Sequence, residues 1–224
     1  MPTIAAPRAI LFDWDNTLVD TWPVIHSALN ETLRYMGHEE WSFDRTRREV
    51  KKSMRESFPD MFGERWQEAG DVFTRSYRAL HLEKLQALPG VEEMLAAIPR
   101  ERVFVGVVSN KQSKTLAMEV PALGWEKFFD IWIGAGDAAR DKPHADPALL
   151  ALKDSGVEAG AHVWFVGDTG ADLGCAQAGG FTPILYGDMV PENNEFDGYP
   201  FAAHARNQQE LKTLITSSLA ANAA

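Results

Sequence analysis

Two rhythms of apolar residues run through this chain. Residues 9–12 form an unbroken apolar run, and further apolar runs lie at 102–109, 131–133, 162–166 and 182–186. They lack the alternation of a half-exposed strand and predict strands buried on both faces, as in a parallel sheet. Helical periods separate them, near 91–98, 111–120, 146–155 and 170–178. Strands and helices in alternation predict an α/β fold with a doubly wound parallel sheet. The stretch 187–207, rich in Pro, Gly, Asn and acids, reads as a surface loop before a last helix.

After the first strand the rhythm changes. From about residue 23 to 87 the chain is helical and strongly charged. Val24, Ile25, Ala28, Leu29, Leu33 and Met36 recur at helical spacing, and Gly37 suits the left-handed residue that closes such a helix. Asp44 is a candidate cap for a basic helix running towards Phe58, with Pro59 and Gly63 as punctuation. A longer helix from about residue 64 carries Trp66, Val72, Phe73, Tyr77, Leu80 and Leu85, and Pro89-Gly90 ends the block. The pattern predicts a core domain of residues 1–20 and 88–224, interrupted by a small all-helical domain of residues 21–87.

Composition narrows the function classes. With 224 residues, 45% of them hydrophobic, the chain can bury a proper core. Acids outnumber bases 32 to 22, a net charge of −10. That balance argues against nucleic acid as a partner, because a duplex binder needs a basic face. A small anionic ligand stays compatible, since a local pocket can be positive on a negative protein. The single cysteine, Cys175, precludes an internal disulfide and suits a reducing compartment. The first twelve residues, broken by Pro2, Pro7 and Arg8, do not read as a signal peptide, and no run matches a membrane span. A cytoplasmic protein with no membrane partner is expected.

The candidate chemistry collects where the predicted strands end. Asp13, Asp15 and Thr17 follow the first strand, and Ser109-Asn110-Lys111 the second. Lys142 lies in the segment after the third, and Asp168 and Asp172 follow the fourth. In an open α/β sheet the C-terminal strand edge is where ligands bind. Asp13 and Asp15, two residues apart, start on the same side of their strand and repel unless a cation or shared proton relieves them.

Together these residues resemble the haloacid dehalogenase superfamily of aspartate-nucleophile phosphotransferases. Asp13-Trp14-Asp15-Asn16-Thr17 is similar to its first motif, Ser109 to the second, Lys142-Pro143 to the third and Gly167-Asp168-x-x-x-Asp172 to the fourth. The motifs fall in the family order, and the helical block resembles the family's small cap domain. The style of residues 17–20 and 142–147 resembles the phosphoglycolate phosphatase-like members. The resemblance implies Asp13 as nucleophile, Asp15 as general acid and base, and Thr17 as an orienting residue. It implies Lys142, Ser109 and the Asn110 amide as phosphate ligands. It also implies Mg²⁺ held by Asp13, the Asp15 backbone carbonyl and Asp168, with Asp172 assisting. Three positions depart from the family: Asn16 replaces a usual Gly, Trp14 a usual Leu, and Ala145 a common Pro.

A Mg²⁺-dependent phosphatase acting on a small phosphorylated metabolite, phosphoglycolate among the candidates, is the reading this resemblance supports. Asp15 argues against a dehalogenase, which lacks that acid, and against a phosphonate hydrolase. A phosphomutase keeps both acids and stays open, as does a catalytically silent module that binds phosphate and Mg²⁺. In the helical block, Arg48, Lys51, Lys52 and Arg55 lie at spacings that share a helix face. Arg48 and Lys52, with His26, are the candidate substrate contacts there.

Overall fold

Burial on both faces decides the strands. The computed structural model describes residues 4–50, 54–188, 196 and 198–221. All four residues of β1 (Ala9–Phe12) are fully buried, as the unbroken apolar run requires. The chain continues through a two-residue strand β2 (Val19–Asp20) and helices α1 (Trp22–Tyr35), α2 (Phe43–Glu49), α3 (Met54–Phe62) and α4 (Trp66–Leu80). Then follow β3 (Gln86–Ala87), α5 (Val91–Ala96), β4 (Phe104–Gln112), α6 (Ser113–Ala122) and β5 (Ile131–Ala135). The last elements are α7 (Asp146–Leu152), β6 (Val163–Gly167), α8 (Gly170–Gly179), β7 (Thr182–Tyr186), β8 (Ala203–Ala205) and α9 (Gln208–Ala221). Among the described residues no helix is long and apolar enough to cross a membrane.

Six strands form one parallel sheet in the order β5-β4-β1-β6-β7-β8. Leu11 is paired with Gly106 on one side and with Phe165 on the other. From β1 the sheet grows outward through β4 and β5, then reverses to grow through β6, β7 and β8. That reversal makes β1 the switch point of a doubly wound sheet, where the strand ends open a crevice.

The chain divides into two compact units, Met1–Val19 with Ala87–Ala224, and Asp20–Gln86. In the second unit Leu29, Leu33 and Met36 of the first helix segment pack with Phe58, Phe62 and Ala69. Edge-to-face contacts of Phe58 with Phe62 and Phe73 add to this small core.

Several elements differ from expectation. The cap of α2 is Ser42, whose Oγ accepts from the Arg45 N–H at 3.2 Å, and not Asp44. The basic segment is more than one helix, since α2 stops at Glu49, with Val50 out of helical conformation, before α3. Pro59 lies inside α3, where packing of Phe58 and Phe62 outweighs the hydrogen bond it cannot make. The stretch 187–207 contains β8, a sixth strand too short to stand out by composition. Finally, β4 runs to Gln112, so Lys111 is in the strand and α6 begins only at Ser113. Gly134 permits this, because a Cβ there would overlap the Ser113 backbone.

Candidate active site

The turn after β1 sets the site. Asp13 donates its N–H to the Val166 carbonyl at 2.8 Å, a last sheet bond that fixes it at the strand edge. The chain then turns tightly, with Leu18 N–H on the Trp14 carbonyl at 2.9 Å and Asn16 N–H on the Val19 carbonyl at 2.7 Å. Asn16 holds φ at 59°, the left-handed conformation in which Asn stands in for Gly.

Two later segments of the chain, one carrying Lys142 and one carrying Asp168 and Asp172, converge on Asp13. Lys142 Nζ lies 2.6 Å from Asp13 Oδ1 and 2.6 Å from Asp172 Oδ1, with all three side chains at most 8% exposed. Asp172 is itself fastened: its Oδ2 accepts from Thr169 N–H at 2.9 Å and Thr169 Oγ1 at 2.6 Å, capping α8. Gly167 makes room for this carboxyl, because a Cβ there would overlap it. Thr17 Oγ1 donates to Asp168 Oδ1 at 3.1 Å, and the Thr17 carbonyl accepts from Gln208 Nε2 at 2.7 Å.

The motif-two residues divide by strand alternation. Ser109 and Lys111 turn inward and are buried, while Asn110 turns outward. Ser109 Oγ accepts from the Lys111 N–H at 3.2 Å. The Asn110 side chain clasps the backbone of Lys142, giving Nδ2 to its carbonyl and taking its N–H on Oδ1, each at 3.0 Å. Its side-chain amide thereby aligns Lys142.

Electrostatics in this cluster are crowded. Burial first, then the neighbouring Asp172 and Asp15, raise the Asp13 carboxyl to about 7 despite the opposing pull of Lys142. Burial also lifts Asp168 well above the usual carboxylate range, aided by Asp13 and Asp172. For Lys142, burial works against the charge, but Asp13 and Asp172 outweigh it and hold the ammonium above the ordinary lysine value. One lysine does not neutralise three acids. Carboxylate oxygens of Asp13, Asp168 and Asp172 lie within 4.8 Å of one another. An all-oxygen set with surplus negative charge fits a hard divalent cation. The Asp15 carboxylate is not one of the three: its Oδ1 is paired with Lys111 Nζ at 2.6 Å.

Residues 10–185, well over half the chain, match the family model described as haloacid dehalogenase-like hydrolase. The chain belongs to this family. Among its relatives, a phosphoglycolate phosphatase of Xanthomonas campestris pv. campestris is 32% identical over 182 residues, 80% of this chain and 82% of that one. The pyrophosphatase PpaX of Oceanobacillus iheyensis is 27% identical over 170 residues, 74% of this chain and 77% of that one. Among solved structures, a haloacid dehalogenase-like family hydrolase of Streptococcus pneumoniae superposes with a TM-score of 0.80 at 23% identity. That superposition covers 93% of this chain and 98% of the other.

In this hydrolase the site also contains residues to which the sequence assigned no role. Lys111 is buried with its ammonium between Asp15 and Glu119 Oε2, 2.6 Å from each. Trp14 Nε1 donates to the same Glu119 oxygen at 2.7 Å. Thr169 and Gln208, which fasten Asp172 and Thr17, were likewise unforeseen. Of the candidates in the helical unit, His26 bonds Thr46 Oγ1 at 2.9 Å and meets the Phe43 ring edge-on. Arg48 is solvent-exposed and pairs with Glu49 at 3.1 Å. Lys52 lies outside the described residues.

Proposed function

We propose that this hydrolase is a divalent-metal-dependent phosphomonoesterase that works through an aspartyl-phosphate on Asp13. The observation that carries the reading is the Lys142 ammonium 2.6 Å from Asp13 at the C-terminal edge of β1. Such a contact keeps a buried carboxylate ionised enough to attack and places a positive charge beside the arriving phosphoryl group.

In the first step an Asp13 oxygen forms a bond to phosphorus as the ester P–O bond breaks. Asp15 gives its proton to the departing oxygen. In the second step Asp15 takes a proton from water, whose oxygen bonds phosphorus and releases Asp13 with inorganic phosphate. Ser109 and Lys142 hold the phosphoryl oxygens, and Thr17 steadies Asp168. Asp13 and Asp168, with Asp172, are the residues that would hold Mg²⁺, whose presence would offset the repulsion between Asp13 and a dianionic ester. The substrate class is a small phosphorylated metabolite. Phosphoglycolate is the first candidate because of the name of the Xanthomonas relative, and pyrophosphate enters by the Oceanobacillus one. Arg48, His26 and Lys52 stay candidate contacts to its second anionic group.

The test is phosphate release from phosphoglycolate, hexose phosphates, nucleoside monophosphates and pyrophosphate, with Mg²⁺ or with chelator, for wild type and Asp13→Asn. Mg²⁺-dependent release lost in Asp13→Asn supports the reading. Phosphoryl exchange between sugar phosphates without release would instead identify a mutase.

A further inference from the structure

Lys111 and Glu119 form a buried ion pair that folding alone does not favour. Their side chains are 5% and 1% exposed, and two desolvated charges in a core typically contribute no more than apolar residues of the same size. Glu119 comes from α6, on a face that otherwise packs Leu116 and Val120 into the core. Its Oε2 is held by two donors at once, Lys111 Nζ at 2.6 Å and Trp14 Nε1 at 2.7 Å. Trp14 is in turn clamped, fully buried and edge-on to Trp125 at 5.7 Å and Phe129 at 6.4 Å between ring centroids. Among these linked side chains it is Asp15 that reaches solvent: its side chain is 31% exposed and its Oδ1 meets the Lys111 ammonium at 2.6 Å.

We propose that Glu119 and Trp14 act through Lys111 to position the Asp15 carboxylate for its proton transfers. The inference rests on the phosphomonoesterase reading above. A half-exposed aspartate on a turn has several rotamers, and an acid delivers a proton only within hydrogen-bond reach of the leaving oxygen. Lys111 pairs with Oδ1 and thereby limits where the carboxylate and its other oxygen, Oδ2, can lie. Glu119 gives the lysine a second, immobile partner, so the ammonium stays put instead of following Asp15. The indole N–H in turn keeps Glu119 from rotating. Trp14 thus reaches Asp15 by a route through α6 as well as along the backbone. The Lys111 N–H on Ser109 Oγ ties the same lysine to a candidate phosphate ligand.

The test compares kcat/KM, which ends with departure of the leaving group, on two kinds of monoester. 2,4-Dinitrophenyl phosphate expels a stable anion and needs no proton, whereas an alkyl phosphate such as phosphoglycolate does. Glu119→Gln keeps the shape of Glu119 and removes its charge; Trp14→Phe keeps a ring and removes the N–H. The expected result for Glu119→Gln is an alkyl-ester kcat/KM lowered about 10- to 100-fold, with the dinitrophenyl ester lowered less than about threefold. Trp14→Phe should give the same asymmetry at smaller size, which covers the case in which Glu119→Gln does not fold. Equal losses on the two esters, or no loss on the alkyl ester, overturn the inference while leaving the phosphatase reading intact. Wild type inactive on both esters, or Asp13→Asn fully active, overturns the phosphatase reading and this inference with it.

Discussion

Lys142 and Asp13 are 129 positions apart, yet their side chains meet at 2.6 Å with almost no solvent between them and the core. Removing one partner of such a pair leaves a buried charge uncompensated, at a typical cost of about 3–5 kcal/mol. Lys142→Met should therefore lower the metal-free Tm by roughly 6–20 °C for a chain of this size. Phosphatase activity should fall to background. Mg²⁺ should raise the Tm of the variant more than that of wild type, because three acids then depend on the cation alone. Scanning calorimetry with and without Mg²⁺ reads both effects; an unchanged Tm would mean the pair contributes nothing to the fold.

The Asp13 carboxyl, raised by burial to about 7, gives a pH signature to the metal-free protein. A folded-state value above the unfolded one means the fold prefers the protonated acid. This contribution is fully present below the unfolded value near 3.8 and is lost as pH rises towards 7. Asn at position 13 does not titrate. In chelator, the Tm of Asp13→Asn relative to wild type should climb between pH 4 and 7; a flat difference would show that Asp13 titrates normally.

Gly167 is the residue across which the Asp172 carboxyl lies. Gly167→Ala should push that carboxyl off Lys142 and off the Thr169 cap, with an overpacking cost of about 1–3 kcal/mol. Activity should fall with stability, and metal titration by calorimetry should show weaker binding. Wild-type metal affinity in Gly167→Ala would mean that Asp172 has no part in holding a cation.

Asn110 aligns Lys142 through two backbone bonds, each worth about 1 kcal/mol. Asn110→Ala should therefore lose about 2 kcal/mol in urea unfolding and lower kcat more than it raises KM. If instead KM rises alone, Asn110 binds substrate and the clasp on Lys142 is incidental.

Residues next to the apolar runs were legible because an apolar run that gives way to polar groups advertises the sheet edge. Asp13, Asp15, Ser109, Asp168 and Asp172 all have that signature, and Lys142-Pro143 follows in family order. Glu119 was not legible. A glutamate in an amphipathic helix reads as a solvated face, and its partners Lys111 and Trp14 are 8 and 105 positions away. Lys111 was misplaced because the apolar run stops at Ser109 while the strand goes on; only alternation across 109–112 turns its side chain inward. Nothing local to Asn110 announces that the Lys142 backbone lies across its side-chain amide. Gln208 reaches Thr17 from the last helix, a contact set by the wrapping of the chain and by no local pattern.

The scattering of the site along the chain also has a consequence for synthesis. Asp13 is made before Lys142, Asp168 and Asp172, the residues that surround it. A nascent chain that stops short of Lys142 carries the nucleophile with none of these partners. On the proposed function, hydrolysis should begin only once the segment after β5 and the end of β6 have joined β1, and a product cut before Lys142 should leave Asp13 without its lysine.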